Sequence, residues 1–345
     1  MDRIRKILQP KIAIYSMGTY TPSQKITSSE VEERIRKESS YTGFRENSVF
    51  EISGTYTRYF SDSTEEASTL ASEAAKKALS SASMKIDEID AIIFASASQD
   101  VIEPATGNRV QTLLSSKAPV FDIKNACNSF LNGLQVAKSL ISSGQYSCIL
   151  VCSGETPSRA IRWETKSAAD FKDAFAGYNL SDAGVAMILG KQKAKLPEIV
   201  FTEFLSKGEY FDASMIPGGG SCFPRDTEKL FFRSDSRRLS EAFNVGILDF
   251  TQNTLKKHRW KLSKVNYFLP HIVSRYSKEV FSNTFSLPHH RILNYNSTHG
   301  NMASCSVPFA FITEYEKKRF ISHERILMVG LGAGASYALV GIEFP

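Results

Sequence analysis

The sequence predicts an α/β layered fold made of two duplicated halves, and three observations carry that expectation. Two pairs of segments repeat at a fixed spacing. MKIDEIDAIIFASAS (84–98) resembles WKLSKVNYFLPHIVS (260–274), and SCILVCSGE (147–155) resembles ERILMVGLG (324–332), offsets of 176 and 177 residues. Similarity at such a fixed period means a duplicated unit, here of about half the chain. The apolar runs inside these segments are short and unbroken, as in strands covered on both faces. Helical patterns separate the runs, which is the alternation an α/β layering requires.

The elements follow in chain order. STEEASTLASEAAKKALSSA (63–82) reads as a helix, with Ser63 as its cap and Glu66 completing a capping box. A strand follows within 84–98. NSFLNGLQVAKSLISS (128–143) sets Phe130, Leu131, Leu134, Val136, Leu140 and Ile141 near helical spacing, and strands follow at 147–155 and at AGVAMILG, 183–190. The lysine-containing link GKQKAKLPE, with Pro197 near its end, separates a first half, 1–190, from a second, 191–345. The second half repeats the order: a strand within 260–274, a helix-like SVPFAFITEYEKK (306–318), and strands at 324–332 and SYALVGIEF, 336–344.

Composition narrows the function classes. Apolar residues make up 42% and charged residues 23% of 345 residues, and the net charge is a modest +6, as in a globular enzyme. Nothing matches a nucleic-acid-binding signature, and no run reaches 18 apolar residues. MDRIRKILQPK lacks the apolar core of a secretory leader, so a cytoplasmic protein with reduced thiols is expected. Five cysteines (127, 148, 152, 222, 305) form no framework, and Cys148 and Cys152 read as buried strand residues. No metal or cofactor is called for. The basic cluster Lys256, Lys257, Arg259, Lys261 and Lys264 is either a solvated face or a dock for an acidic partner.

The chemistry points to Cys127. In VFDIKNACNSFLNGL (120–134) it stands where a strand gives way to a helix. Most free cysteines are small buried hydrophobes. The first turn of a helix, however, offers unpaired N–H groups and a positive dipole end, which lower a thiol's pKa and make it a nucleophile. Two partners suit it. His271 ends the strand YFLPH, and strand C-termini are where α/β sheets build sites. Asn301 lies in HGNMASCS just before the second-half helix. The loop GLGAGAS (330–336), with Gly330, Gly332 and Gly334, offers backbone N–H groups for an oxyanion, together with that of Cys127.

Taken together, ACNSF, PH at 270–271, HGN at 299–301, MIPGGGS at 215–221 and GLGAGAS resemble the 3-oxoacyl-acyl-carrier-protein synthase III branch of the thiolase superfamily. The resemblance spans essentially the whole chain. It implies a five-layer αβαβα fold, a homodimer, acyl-coenzyme A or acyl carrier protein thioesters as partners, and acyl transfer to Cys127 before carbon–carbon bond formation. Departures are visible: PHIVSR replaces PHQAN, GNMASCS replaces GNTSAAS, and LSDAGVA replaces GDGAGA.

SQDVIEPATGNRVQTL (98–113) departs further. It puts Glu103 where a chain-initiating synthase carries an apolar residue at the dimer interface. EPAT with NAC and FLNG resembles a side branch that includes the acyl-coenzyme A condensing enzyme of olefin synthesis and the ketosynthases forming α-pyrones or dialkylresorcinol precursors. In that branch the glutamate enters the partner subunit's site as a base, so two acyl chains join without decarboxylation. Glu103 paired with Arg109 is the structural alternative. The alternatives in function are decarboxylating chain initiation with malonyl-carrier protein, and an inactive acyl-binding subunit whose Cys127 shows no enhanced reactivity near neutral pH.

Overall fold

The computed structural model describes residues 10–193, 195–244 and 246–345; residues 1–9, read above for a leader, and Ala194 of the link lie outside them. Nine strands form one mixed sheet in two runs. In the first half, Ile12–Tyr20, Ala183–Lys191, Cys148–Glu155, Ala91–Ala95 and Val120–Ile123 lie side by side in that order. In the second half the order is Glu198–Ser206, Ser336–Glu343, Arg325–Gly332, Tyr267–Pro270. The two runs meet at a single pair, Ala13 with Glu198. Corresponding strands keep their sense: Cys148–Glu155 runs parallel to Ala91–Ala95, and Arg325–Gly332 parallel to Tyr267–Pro270. The place of the short edge strand Val120–Ile123 is held in the second half by one isolated bridge, Phe268 to Ile292.

Three apolar clusters fill the spaces around these runs and define five layers. Helix Ala67–Ser81 lays Ala71, Ala74, Ala75 and Ala78 against Ile92, Leu150 and Ile188 on one outer face. Helices Ser129–Ser143 and Ser306–Glu316 lie in the middle, buried between the two runs with Phe130, Leu134, Phe309 and Ile312. Helices Ile247–Lys257 and Arg275–Phe285 cover the other outer face through Ile247, Leu255, Phe281 and Phe285. Helix Ser306–Glu316 is apolar on most sides because both of its faces are covered, which keeps its amphipathicity low. No described helix is long and apolar enough to cross a membrane.

One helix start differs from the sequence reading. The helix begins at Ala67, not after Ser63, and Glu66 holds the cap position without a capping side-chain bond. Asp62 takes the local donors instead: its Oδ1 accepts from the backbone and hydroxyl of Thr64, fixing a turn that competes with helix.

Candidate active site

Cys127 does not sit inside the helix. The helix starts at Ser129, Asn128 is its cap residue, and Ala126 is held at φ +46°. Such a conformation costs about 1–3 kcal/mol for a residue with a Cβ and persists only where the surroundings impose it. The turn is closed by Asn128 N–H donating to Asn125 O (2.9 Å) and by Ser129 Oγ accepting from Asn125 N–H (2.8 Å). The same strain recurs 177 residues later, where Ala303 also has φ +46° ahead of Ser304 and the helix at Ser306. The duplication therefore reproduces the cysteine turn, with Ser304 at the position of Cys127.

The two turns reach across to the opposite half. Asn128 is fully buried and donates through Nδ2 to Ser336 O (3.0 Å) and Oγ (2.9 Å). A Cβ on Gly330 would lie 2.0 Å from Asn128 Oδ1, and one on Gly332 would lie 3.0 Å from Asn128 Nδ2. Gly330 and Gly332 thus admit Asn128 against the strand, where they pair with Ala338 and Ser336. The backbone group set against the Cys127 thiol is that of Ala333. The expected donor loop therefore does face the thiol, but through the N–H of Ala333; Gly330 and Gly332 are ladder residues whose missing side chains make room for Asn128.

His271 extends the strand Tyr267–Pro270, its N–H donating to Val329 O at 2.9 Å, so it stands beside Val329 and Gly330. It is 5% exposed, and its Nδ1 has no hydrogen-bond partner. Burial brings its pKa down to about 4, so the imidazole is neutral at physiological pH. Asn301 is 7% exposed and fixed by Ala303 N–H donating to its Oδ1 (3.0 Å), which leaves Nδ2 free to donate outward. Its backbone N–H donates to Asn179 O (2.8 Å), while Asn179 Nδ2 donates to Val273 O (2.8 Å), two residues past His271. Asn179 therefore ties the histidine and asparagine segments together.

The thiol is not pre-activated. Cys127 keeps partial exposure, yet burial pushes it up to about 12. The charge of Glu155 adds to this, and the N–H groups of Ala333 and Cys127 itself only partly offset both. The expected lowering by the helix terminus loses to desolvation, which is the larger effect. Reactivity of the resting thiol near neutral pH consequently does not separate an enzyme from an inactive subunit.

Glu103 lies elsewhere on the single chain. It is exposed at the tip of the 98–106 loop, and among the described residues it has no hydrogen-bond or ion-pair partner. Arg109, offered above as its partner, instead pairs with Glu66 and with Asp100 (3.4 Å). Beside it Ile102 is 71% exposed, with Val101, Leu113 and Phe121 also exposed, and the strand Val120–Ile123 has an unpaired edge. The basic cluster 256–264 precedes the N-terminal end of strand Tyr267–Pro270, the end away from His271, and Lys257 is bonded to Glu203 (2.7 Å). It is therefore not a phosphate dock at the cysteine. No three His, Cys, Asp or Glu side chains converge as a metal site among the described residues.

Sequence reasoning missed Asn128, Asn179, Glu155, Ser304 and Ala333. The 177-residue offset was the available signal for Ser304, since it carries Cys127 onto that position.

Comparison with known proteins gives a consistent result. Residues 121–208 match the 3-Oxoacyl-[acyl-carrier-protein (ACP)] synthase III family and residues 255–344 match its C-terminal region. The chain is 24% identical over 342 residues to a beta-ketoacyl-[acyl-carrier-protein] synthase III of Chlamydia muridarum, covering 96% of this chain and 99% of that one. It is 24% identical over 351 residues to an acyl-CoA:acyl-CoA alkyltransferase of Xanthomonas campestris pv. campestris, covering 97% and 99%. Among solved structures, a cysteine-to-serine variant of Xanthomonas campestris OleA with bound lauric acid and lauroyl-CoA superposes with a TM-score of 0.88 at 23% identity, covering 98% of this chain and 100% of that one. The last similarity shows that the fold is thiolase-like.

Proposed function

The chain belongs to the 3-oxoacyl-[acyl-carrier-protein] synthase III family of condensing acyltransferases, and from that premise we propose that it joins two acyl thioesters by a Claisen condensation without loss of CO2. In this reading Cys127 attacks the first thioester as its proton leaves for neutral His271, the N–H groups of Cys127 and Ala333 hold the oxyanion, and the thiol of coenzyme A or a carrier protein departs. The second acyl thioester then lies with its carbonyl on the His271 and Asn301 Nδ2 donors. The partner subunit's Glu103 takes its α-proton. The enolate attacks the acyl-enzyme, Cys127 leaves as the thiol, and a β-ketoacyl thioester is released for further cyclisation or hydrolysis.

The observation that carries the proposal is Glu103 itself: an exposed carboxylate with no partner among the described residues, set among exposed apolar residues beside an unpaired strand edge. An apolar patch around a free edge is what a second copy covers, and covering it would bury a carboxylate that has no structural cation. The name of the Xanthomonas alkyltransferase relative supports the same reaction type. The beta-ketoacyl-[acyl-carrier-protein] synthase III relatives favour the second reading, decarboxylating chain initiation, in which Glu103 is a bystander. Incubation with pairs of acyl thioesters, with and without malonyl thioester, decides between them. Condensed product without malonyl thioester is the expected result. Product that forms only with malonyl thioester and releases CO2 returns the protein to chain initiation.

A further inference from the structure

Glu155 ends the strand Cys148–Glu155 and is fully buried. Among the described residues no cation pairs with it. It is surrounded by donors: Ala97 N–H (2.7 Å) and the hydroxyl and N–H (3.4 Å) of Ser304 on Oε1, and Ser98 N–H (3.1 Å) and Oγ–H (2.7 Å) on Oε2. A buried carboxylate without a cation is tolerated only when donors replace its water, as they do here. The donors come from two separate segments, and Oε1 accepts from both of them. Ala97 and Ser98 begin the loop that carries Glu103, and Ser98 Oγ also accepts from Thr156 N–H (3.0 Å). Ser304 lies in the turn that holds Asn301, whose Oδ1 accepts from Ala303 N–H.

The duplication adds an independent observation. The 177-residue offset that carries Ala126 onto Ala303 carries Cys127 onto Ser304 and Glu155 onto Gly332. In the working copy a glycine clears room beside the cysteine turn. In the other copy a glutamate fills that room and binds the serine. The second copy of the turn is thus anchored by a carboxylate where the first copy faces a glycine.

We infer that Glu155 is a positioning residue for condensation, its carboxylate clamping the Asn301 turn beside Cys127 to the loop whose Glu103 serves the partner subunit's site. The inference rests on the condensing role proposed above for Asn301 and Glu103. The charged or titratable groups that face Glu155 are the thiols of Cys127 and Cys305, and the carboxylate raises both.

The test uses Glu155→Gln, Ser304→Ala and Ser98→Ala in a Cys222→Ser background, so that the exposed Cys222 does not confuse thiol labelling. Acyl-enzyme formation is read by intact mass, condensation by product, and Cys127 alkylation as a function of pH. In Glu155→Gln the amide nitrogen must face either the Ser98 donors or those of both Ala97 and Ser304, so the clamp loosens, and the negative charge near the thiol is lost. We expect acylation to persist, condensation to fall about 10-fold to 10²-fold as the second substrate's donors are misplaced, and the alkylation profile to move to lower pH. Ser304→Ala should lose condensation with the alkylation profile in place, because the charge remains; it also carries the test if Glu155→Gln does not fold. Ser98→Ala should weaken only condensation without malonyl thioester. Wild-type condensation in both Glu155→Gln and Ser304→Ala overturns the inference, as does an equal loss of acylation, condensation and melting temperature in all three. If the unsubstituted enzyme accepts acyl groups but condenses no pair, the condensing proposal has failed, and an unshifted alkylation profile in Glu155→Gln separately refutes the placement of the Glu155 charge.

Discussion

Gly330→Ala should disable the site through Asn128, without touching any reacting group. The added Cβ would sit 2.0 Å from Asn128 Oδ1, 2.7 Å from Leu131 Cδ1 and 3.0 Å from Ala338 Cβ. Asn128 is fully buried, so its side chain must move as a whole and release both bonds to Ser336. Two buried bonds at about 1 kcal/mol each and about 1–3 kcal/mol of overpacking give a loss of roughly 3–5 kcal/mol. Asn128 is joined directly to Cys127, so displacing it by about 1 Å should slow acylation on the order of 10²-fold. Urea unfolding and the rate of acyl-enzyme formation by intact mass measure the two effects. The decisive control is the double-mutant cycle with Asn128→Ser, which removes the colliding oxygen. The two substitutions together should cost less than their sum by about 1–2 kcal/mol. Strict additivity, or an unchanged acylation rate in Gly330→Ala, refutes the argument.

The remaining predictions concern the proposed groups themselves. Cys127→Ala should accept no acyl mass and keep its fold, while replacement of Cys148, Cys152 or Cys305 should leave acylation in place in any variant that folds; acyl mass on Cys127→Ala removes the nucleophile. Alkylation of Cys127 by iodoacetamide, read on its own peptide, should keep rising about tenfold per pH unit through pH 10, because burial holds the thiol up to about 12; a plateau near pH 7 would contradict that. His271 is a base whose folded pKa, about 4, lies below its unfolded value, so protonation opposes folding: the full stability is present above about pH 6.5 and is lost as pH falls toward 4, by about 3 kcal/mol. His271→Asn should remove its share of that slope and leave the share of His299, which burial also brings down to about 4, and an unchanged acid slope counts against the burial of His271. Glu103→Gln should acylate normally yet make no product from two acyl thioesters, and sedimentation should show a dimer; wild-type product from Glu103→Gln, or an active monomer, removes the base supplied by the partner.

The sequence by itself determined the duplicated α/β architecture, because a repeat of apolar runs at 176–177 residues leaves few ways to bury strands covered on both faces. It also marked Cys127, His271 and Asn301, each at the end of a legible element: a strand-to-helix joint, a strand terminus and a turn before a helix. It misread the start of helix Ala67–Ser81 because the Asp62–Thr64 turn competes locally with the helix signal. It pointed to the 330–336 loop but not to what Gly330 and Gly332 do there, since a glycine that provides donors and a glycine that clears space for Asn128 look alike along the chain. Only the tertiary structure decided the charge state of the site. A helix terminus near Cys127 suggests a lowered thiol pKa, whereas the packed surroundings and Glu155, remote in sequence, raise it. Desolvation and Coulomb effects depend on what surrounds a group in space, and the groups acting on the thiol come from segments 28 and 206 positions away: Glu155 and Ala333.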